Sequence, residues 1–217
     1  MDSVFGRILK LGFEPTVITL STLINGLCLE GDIGQALRWL EDIVERGYQP
    51  DIITLNTLIN GLCKIGDTYG AFRYLRKMEE RNWNPGVEAC STIIDSLCKD
   101  RLVTEALNLF SEMTSKCIVP TVVTYSSLIQ GLCNFSRWKE TSALLDEMMQ
   151  IGIMPNVQTF NILVDTLSKE GKTTEAKHIF EVMIQAVKEP DIFTYSSLID
   201  GHVLKNQMDE AMDTHSI

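Results

Sequence analysis

The stretch Val122-Val-Thr-Tyr-Ser-Ser-Leu-Ile-Gln-Gly-Leu-Cys133, closed by Pro155-Asn156, decides the reading of this chain because it recurs. Gly61-Leu-Cys63 and Gly26-Leu-Cys28 repeat its end at intervals of 35 residues or twice that. Pro15, Pro50, Pro85, Pro120, Pro155 and Pro190 keep the 35-residue spacing without exception. Leu23, Leu58, Ile93, Leu128, Leu163 and Leu198 share a second register, Ala36, Ala71, Ala106, Thr141, Ala176 and Ala211 a third, and Met78, Met113, Met148 and Met183 a fourth. A period of this length means stacked supersecondary units that bury their apolar faces against one another, so a solenoid is predicted in place of one globular core.

Counting each unit from the second residue after its proline gives one array over 1–217: complete units 17–51, 52–86, 87–121, 122–156 and 157–191, with partial units 1–16 and 192–217. Leu55, Leu58, Ile59, Leu62 and Cys63 fall at helical spacing, and Val103, Ala106, Leu107, Phe110 and Met113 form the stripe of a second helix. Polar connectors containing Gly31, Gly66 or Gly171 separate the two halves. The recurring Thr19, Thr54, Thr124, Thr159 and Thr194 suit an N-cap after each Pro-X break. The expected fold is all-α: an α-solenoid of 35-residue helix–turn–helix units, twelve helices in antiparallel pairs, with first helices on the concave face. Residues 1–16 fit only a second helix, and the chain stops within the second helix of 192–217. Both ends lack the polar terminal unit a solenoid needs, which predicts a piece of a longer array or a truncated product.

Composition narrows the function. With 45% hydrophobic and 22% charged residues the chain can bury a substantial core. No run of 18 apolar residues suggests a membrane span, and no targeting peptide is visible, since Met1 to Leu11 fit the repeat register. A net charge of −10 argues against nonspecific adhesion to duplex DNA or anionic membranes. Cys28, Cys63, Cys98 and Cys133 occupy one slot that Ser168 and Val203 also fill, which fits a small packing residue better than a metal ligand. His178, His202 and His215 form no pattern, and no nucleophile, paired-acid or phosphate-loop signature stands out. Neither an enzyme nor a cofactor is predicted.

A polar stripe remains on the first helix, through slots 5, 9 and 13 of each unit. Slot 5 reads Ser21, Asn56, Ser91, Ser126, Asn161 and Ser196, with none of the Lys, Glu or Gln that a merely solvated face admits. The last slot reads Asp51, Gly86, Thr121, Asn156 and Asp191, and taken alone it is explained by turn and capping preferences. Because the recurring Thr already suits the cap, slot 5 is better explained by recognition.

The 35-residue unit with these residues resembles the pentatricopeptide repeat over the whole chain. Uniform unit length resembles the P class, and the Gly-Leu-Cys triplets resemble its restorer-of-fertility-like group. The resemblance implies a right-handed superhelix that binds single-stranded RNA one base per unit, in mitochondria or plastids, with mitochondria favoured. It also implies that base identity is read by slot 5 with the last slot: Ser21 with Asp51, Asn56 with Gly86, Ser91 with Thr121, Ser126 with Asn156 and Asn161 with Asp191. Ser resembles the purine choice and Asn the pyrimidine choice. Chemistry supports part of this, because a carboxylate only accepts and the imino donor exists on G and U, whereas Asn can donate to a ring nitrogen of A or C.

In the family an apolar slot 2 sandwiches bases, matched by Ile18, Ile53, Val123 and Phe193, while Glu88 and Gln158 depart from the pattern. Lys at slot 13 reaches phosphate, matched by Lys64, Lys99 and Lys169 but not by Leu29, Asn134 or Leu204. The competing expectation is a tetratricopeptide-like scaffold for protein partners, whose usual period is about 34. An RNA-modifying enzyme would need a zinc-ligand and glutamate signature that this sequence lacks.

Overall fold

A computed structural model describes residues 16–186 and 188–214. The second helix expected in 1–16 therefore lies outside the described residues. Those residues form eleven helices and no strand: α1 (Val17–Leu29), α2 (Ile33–Glu45), α3 (Ile52–Lys64), α4 (Thr68–Glu80), α5 (Val87–Lys99), α6 (Val103–Ser115), α7 (Val122–Cys133), α8 (Trp138–Gln150), α9 (Val157–Lys169), α10 (Thr173–Gln185) and α11 (Ile192–Thr214). The chain divides into two compact units, residues 1–96 and 97–217, each described by itself.

Four of the first helices start on a local cap, and it is not the one expected from the recurring Thr. Thr16, Asp51, Thr121 and Asn156 are the N-caps, with extended backbone. Asp51 Oδ1 accepts the Thr54 amide at 2.8 Å, and Asn156 Oδ1 accepts the Thr159 amide at 2.9 Å. The Thr is thus already the third helical residue, and the last slot caps. Asp and Asn are among the strongest N-caps, above Thr, which is why the site falls there.

First helices end on a left-handed residue. Gly31, Gly66 and Gly171 take positive φ, and Arg101 and Ser136 adopt the same shape without glycine. The neighbouring bonds, Gly31 N to Cys28 O at 3.2 Å and Asp32 N to Leu27 O at 2.9 Å, satisfy two otherwise orphaned carbonyls. Unit 192–217 departs from the expected hairpin: α11 runs unbroken from Ile192 to Thr214. Asn206 stands where the others turn, no left-handed residue interrupts the i→i−4 ladder there, and the helix continues.

The stripes are the core. Leu55, Leu58, Ile59 and Leu62 of α3 are buried, as are Tyr125, Leu128, Ile129 and Leu132 of α7. On second helices Ala36, Ala71, Ala106 and Ala176 and the methionines at 78, 113, 148 and 183 are buried. Trp138 lies at a junction of units, its indole Nε1 donating to Glu170 Oε2 at 2.6 Å and its ring 4.6 Å from the Lys172 ammonium.

At Cys28, Cys98 and Ser168 the cysteine slot packs against glycine of the following first helix, while Ser96 and Thr166 hold the glycine position after Cys63 and Cys133. A Cβ on Gly131 would stand 2.6 Å from Cys98 Sγ, and one on Gly61 3.6 Å from Cys28 Sγ. Gly201 meets Ser168 in the same way. Close helix approach thus explains both members of the Gly-Leu-Cys triplet. Burial pushes the Cys133 thiol up to about 11, which suits a packing residue better than a reactive one.

Cys63→Ser should be tolerated far better than Leu62→Ala. Cys63 is only half-buried and Ser168 already fills the equivalent slot, whereas a buried Leu→Ala change costs about 2–5 kcal/mol. Thermal denaturation of the two variants compares them directly, and equal losses would contradict the packing assignment.

Candidate nucleic-acid interface

Where slot 2 is apolar it is exposed in each unit. Ile18 is 76% exposed, Ile53 64%, Val123 58% and Phe193 53%, although these are large hydrophobic side chains on otherwise well-packed helices. Glu88 and Gln158, the two polar exceptions, are also exposed. Slot 5 lies deeper: Ser21, Ser91, Ser126 and Asn161 are buried and Asn56 is half-buried, while Ser196 on α11 is exposed.

The structure brings slot 5 directly to the last slot in two of the five expected pairs, Ser21 with Asp51 and Asn161 with Asp191, and adds a third member. Ser21 Oγ donates to Asp51 Oδ2 at 3.2 Å, and the Thr54 hydroxyl lies 2.5 Å from Ser21 Oγ. Asn161 Nδ2 donates to both Asp191 oxygens at 3.1 Å, and the Thr194 hydroxyl donates to Asn161 Oδ1 at 2.5 Å. Ser126 Oγ is bonded to the Val122 carbonyl at 2.7 Å and shares a 2.7 Å bond with the Thr159 hydroxyl. Asn156 reaches this group through Thr159, whose hydroxyl lies 2.9 Å from Asn156 Oδ1.

The cap also orients the last slot. With Oδ1 of Asn156 committed to the Thr159 amide, the amide nitrogen is the branch left to face a ligand. Between α9 and α11 these residues border a cavity of about 540 Å³, lined by Gln158, Asn161, Ile162, Asp165, Asp191 and Phe193 among others. Two slot-2 residues, one slot-5 residue and one last-slot residue thus surround one recess.

Models of the PPR repeat family match residues 15–64, 50–99, 85–134 and 120–169, and models of the single PPR repeat match 158–186 and 193–216. The chain belongs to the pentatricopeptide repeat family. A mitochondrial pentatricopeptide repeat-containing protein of Arabidopsis thaliana is 51% identical over 35 residues, 16% of this chain and 6% of that protein. The crystal structure of the pentatricopeptide repeat protein PPR10 from maize matches with a TM-score of 0.66 at 26% identity, covering 89% of this chain and 28% of that chain. PPR10 in complex with an 18-nt psaJ RNA element matches with a TM-score of 0.66 at 25% identity, over 81% of this chain and 26% of that one. The PPR domain of Arabidopsis thaliana protein-only RNase P 1 in complex with tRNA shares the fold, with a TM-score of 0.69 at 14% identity over 84% and 96% of the two chains. The pentatricopeptide array here spans about a quarter of PPR10 and 6% of the Arabidopsis relative.

Within these pentatricopeptide repeats the remaining expected residues are less uniform. Lys64, Lys99 and Lys169 are all exposed at the ends of their helices. Lys169 Nζ is already paired with Asp165 Oδ2 at 2.7 Å, one turn earlier, so phosphate would have to compete with a surface ion pair worth about 0–1 kcal/mol. Gly86 offers neither a side chain nor a cap for α5. Thr121 caps α7, its backbone N–H donating to Thr124 Oγ1 at 3.1 Å. What the sequence reading missed is the slot-3 Thr as a link between units. Its recurrence was visible, but only the backbone shows that it follows the cap.

The last-slot carboxyls Asp51 and Asp191 are held below their ordinary range. At Asp51 partial burial works upward, but hydrogen bonds from the Thr54 side chain and amide and from Ser21 prevail and hold the carboxyl below its ordinary value. At Asp191 the Thr194 amide is the main cause of a lowered value, helped by the Thr194 hydroxyl and Asn161 against a smaller desolvation effect. A carboxyl whose folded pKa is depressed contributes stability above its unfolded pKa, and that contribution is lost as pH falls through the folded one. The melting temperature should therefore decline as pH drops below about 4, the ordinary Asp range. Asp51→Asn, which keeps a capping oxygen but does not titrate, should shallow that decline. An identical pH profile in the variant would show that the Asp51 bonds add nothing.

Proposed function

We propose that this chain binds single-stranded RNA sequence-specifically, one base per unit along a single array over 1–217, as a binding module without catalysis of its own. The observation that carries the reading is the recess between α9 and α11. The exposed aromatic ring of Phe193 on one side and the Gln158 amide on the other flank a hydrogen-bonding pair, Asn161 and Asp191, which offers a base one stacking surface and a readable edge. The RNA-bound PPR10 structure supports the partner class, and the mitochondrial relative supports an organellar, preferably mitochondrial, role in RNA processing, stability or translation. Uniform units and the Gly-Leu-Cys triplets support placement in the P class near the restorer-of-fertility-like group.

Read 5′ to 3′, the complete units should prefer G, pyrimidine, purine, A and U. Titration with a labelled single-stranded RNA pool and a matched DNA pool tests this against a protein-binding scaffold, since only the first reading yields RNA-selective enrichment of that order. Few phosphate contacts are in reach, so log affinity should fall with log salt at a slope of only roughly 0.7 per contact. Equal recovery of the two pools would reject it.

Asn156→Asp should move unit 122–156 from A toward G and leave the other units alone. Ser126 remains, while the branch that faced the ligand as a donor becomes an acceptor for the imino proton of G. One exchanged hydrogen bond corresponds to a preference change of about 1–3 kcal/mol in a desolvated site. Asp is as good an N-cap as Asn, so folding should be spared, with the melting temperature as control. Competition between RNAs differing at that base, at fixed salt, provides the readout. An unchanged A-to-G ratio in folded protein would reduce Asn156 to a cap.

A further inference from the structure

Where slot 3 of the following unit is Thr54, Thr159 or Thr194, its buried hydroxyl bonds the last-slot cap and also reaches the slot-5 residue of the unit before. Thr54, Thr159 and Thr194 are all at most 1% exposed, and each hydroxyl meets the slot-5 residue of the unit before it at 2.5–2.7 Å. At Asn161 the chemistry fixes the direction. A carboxylate can only accept, so the amide nitrogen must face Asp191, and the carbonyl oxygen is then the atom that receives the Thr194 proton. The amide is held from both ends and cannot flip without facing oxygen with oxygen.

Unit 52–86 lacks both holds. Its partner positions are Gly86 and Ala89, neither of which carries a polar side-chain atom. Asn56 Oδ1 is correspondingly buried with no hydrogen-bond partner, while Asn161 Oδ1 has one. The same slot-5 residue therefore stands in two states in one chain. One is locked; in the other, nothing determines which end of the amide a ligand meets.

We propose that the slot-3 Thr of the following unit is a positioning residue for base discrimination, and that Ala89 makes unit 52–86 a permissive reader. The proposal rests on the one-base-per-unit reading above. Discrimination by an amide requires that donor and acceptor keep their places, because a flipped amide offers the opposite pattern to the same base edge. With the flip open, Asn56 accommodates bases of either pattern. With it closed, Asn161 selects.

The test compares base preference at two units by competition among RNAs that differ at a single base, each variant paired with a melting curve. Thr194→Val removes only the hydroxyl and should lower the ratio of preferred to disfavoured base at unit 157–191 by about three- to tenfold, the worth of one hydrogen bond. Preference at unit 122–156 should not move. Thr194→Ser keeps the hydroxyl and should restore the ratio, which a purely structural role for the β-branched side chain would not explain.

Ala89→Thr gives unit 52–86 the missing donor and should sharpen its preference by a similar factor; Thr is accommodated buried at the equivalent position in four other units of this chain, 52–86, 122–156, 157–191 and 192–217. If Thr194→Val does not fold, Ala89→Thr decides alone. The proposal is overturned if folded Thr194→Val keeps the wild-type ratio, or if Ala89→Thr leaves unit 52–86 unchanged, while wild-type selectivity at unit 122–156 shows the base-per-unit reading intact. Loss of selectivity at every unit of the wild-type protein would instead overturn that reading, and this proposal with it.

Discussion

The close approach of successive first helices is the constraint on which the rest of this structure depends. Where Gly131 faces Cys98, even a methyl group would intrude on the thiol at 2.6 Å. That proximity lets a side chain on one unit bond to the cap of the next, as Ser21 does with Asp51 and Asn161 with Asp191. Where Thr166 takes the place of this glycine opposite Cys133, the bond between Ser126 and Thr159 still forms at 2.7 Å, so the slot admits a somewhat larger residue without losing the contact between units. Core packing and the candidate reading positions share one set of helix contacts.

Several residues do two jobs. Asp51, Asn156 and Asp191 satisfy orphan amides at the start of a helix and keep a second polar branch beyond the cap, which at Asp191 borders the recess. Capping and a polar branch left for other partners are compatible in the last slot. Capping fixes one oxygen, and fixing one oxygen determines what the other branch offers. A flexible loop residue of the same chemistry would have to lose that freedom on binding.

The fold was legible from the proline period and the two apolar stripes because burial imposes the same periodicity on every unit. Slot 5 stood out because its residues were restricted to Ser and Asn. The role of the slot-3 Thr was not legible: whether Thr54 or Asp51 begins the helix depends on one residue's backbone angles, and a Thr suits both positions. Nor was the unbroken α11, since Arg101 and Ser136 turn without glycine whereas the segment around Asn206 does not. Local residue preference is nearly balanced at those sites, and tertiary packing decides. The contrast between Asn56 and Asn161 was written in Gly86 and Ala89, but it acquires meaning only once those positions are known to converge.

The bonds between units close loops of constant length: Thr54 to Ser21, Thr159 to Ser126 and Thr194 to Asn161 each span 33 residues. The entropy of closing a loop depends on the length between its ends, so each added unit meets the same cost as the last. Low contact order of this kind permits folding to begin in any unit and spread to its neighbours, without a nucleus that the whole chain must assemble. Chain length is then decoupled from foldability. Units can be gained or lost by duplication without any distant pairing being rebuilt, which leaves the number of units free to follow the length of whatever the surface must grip.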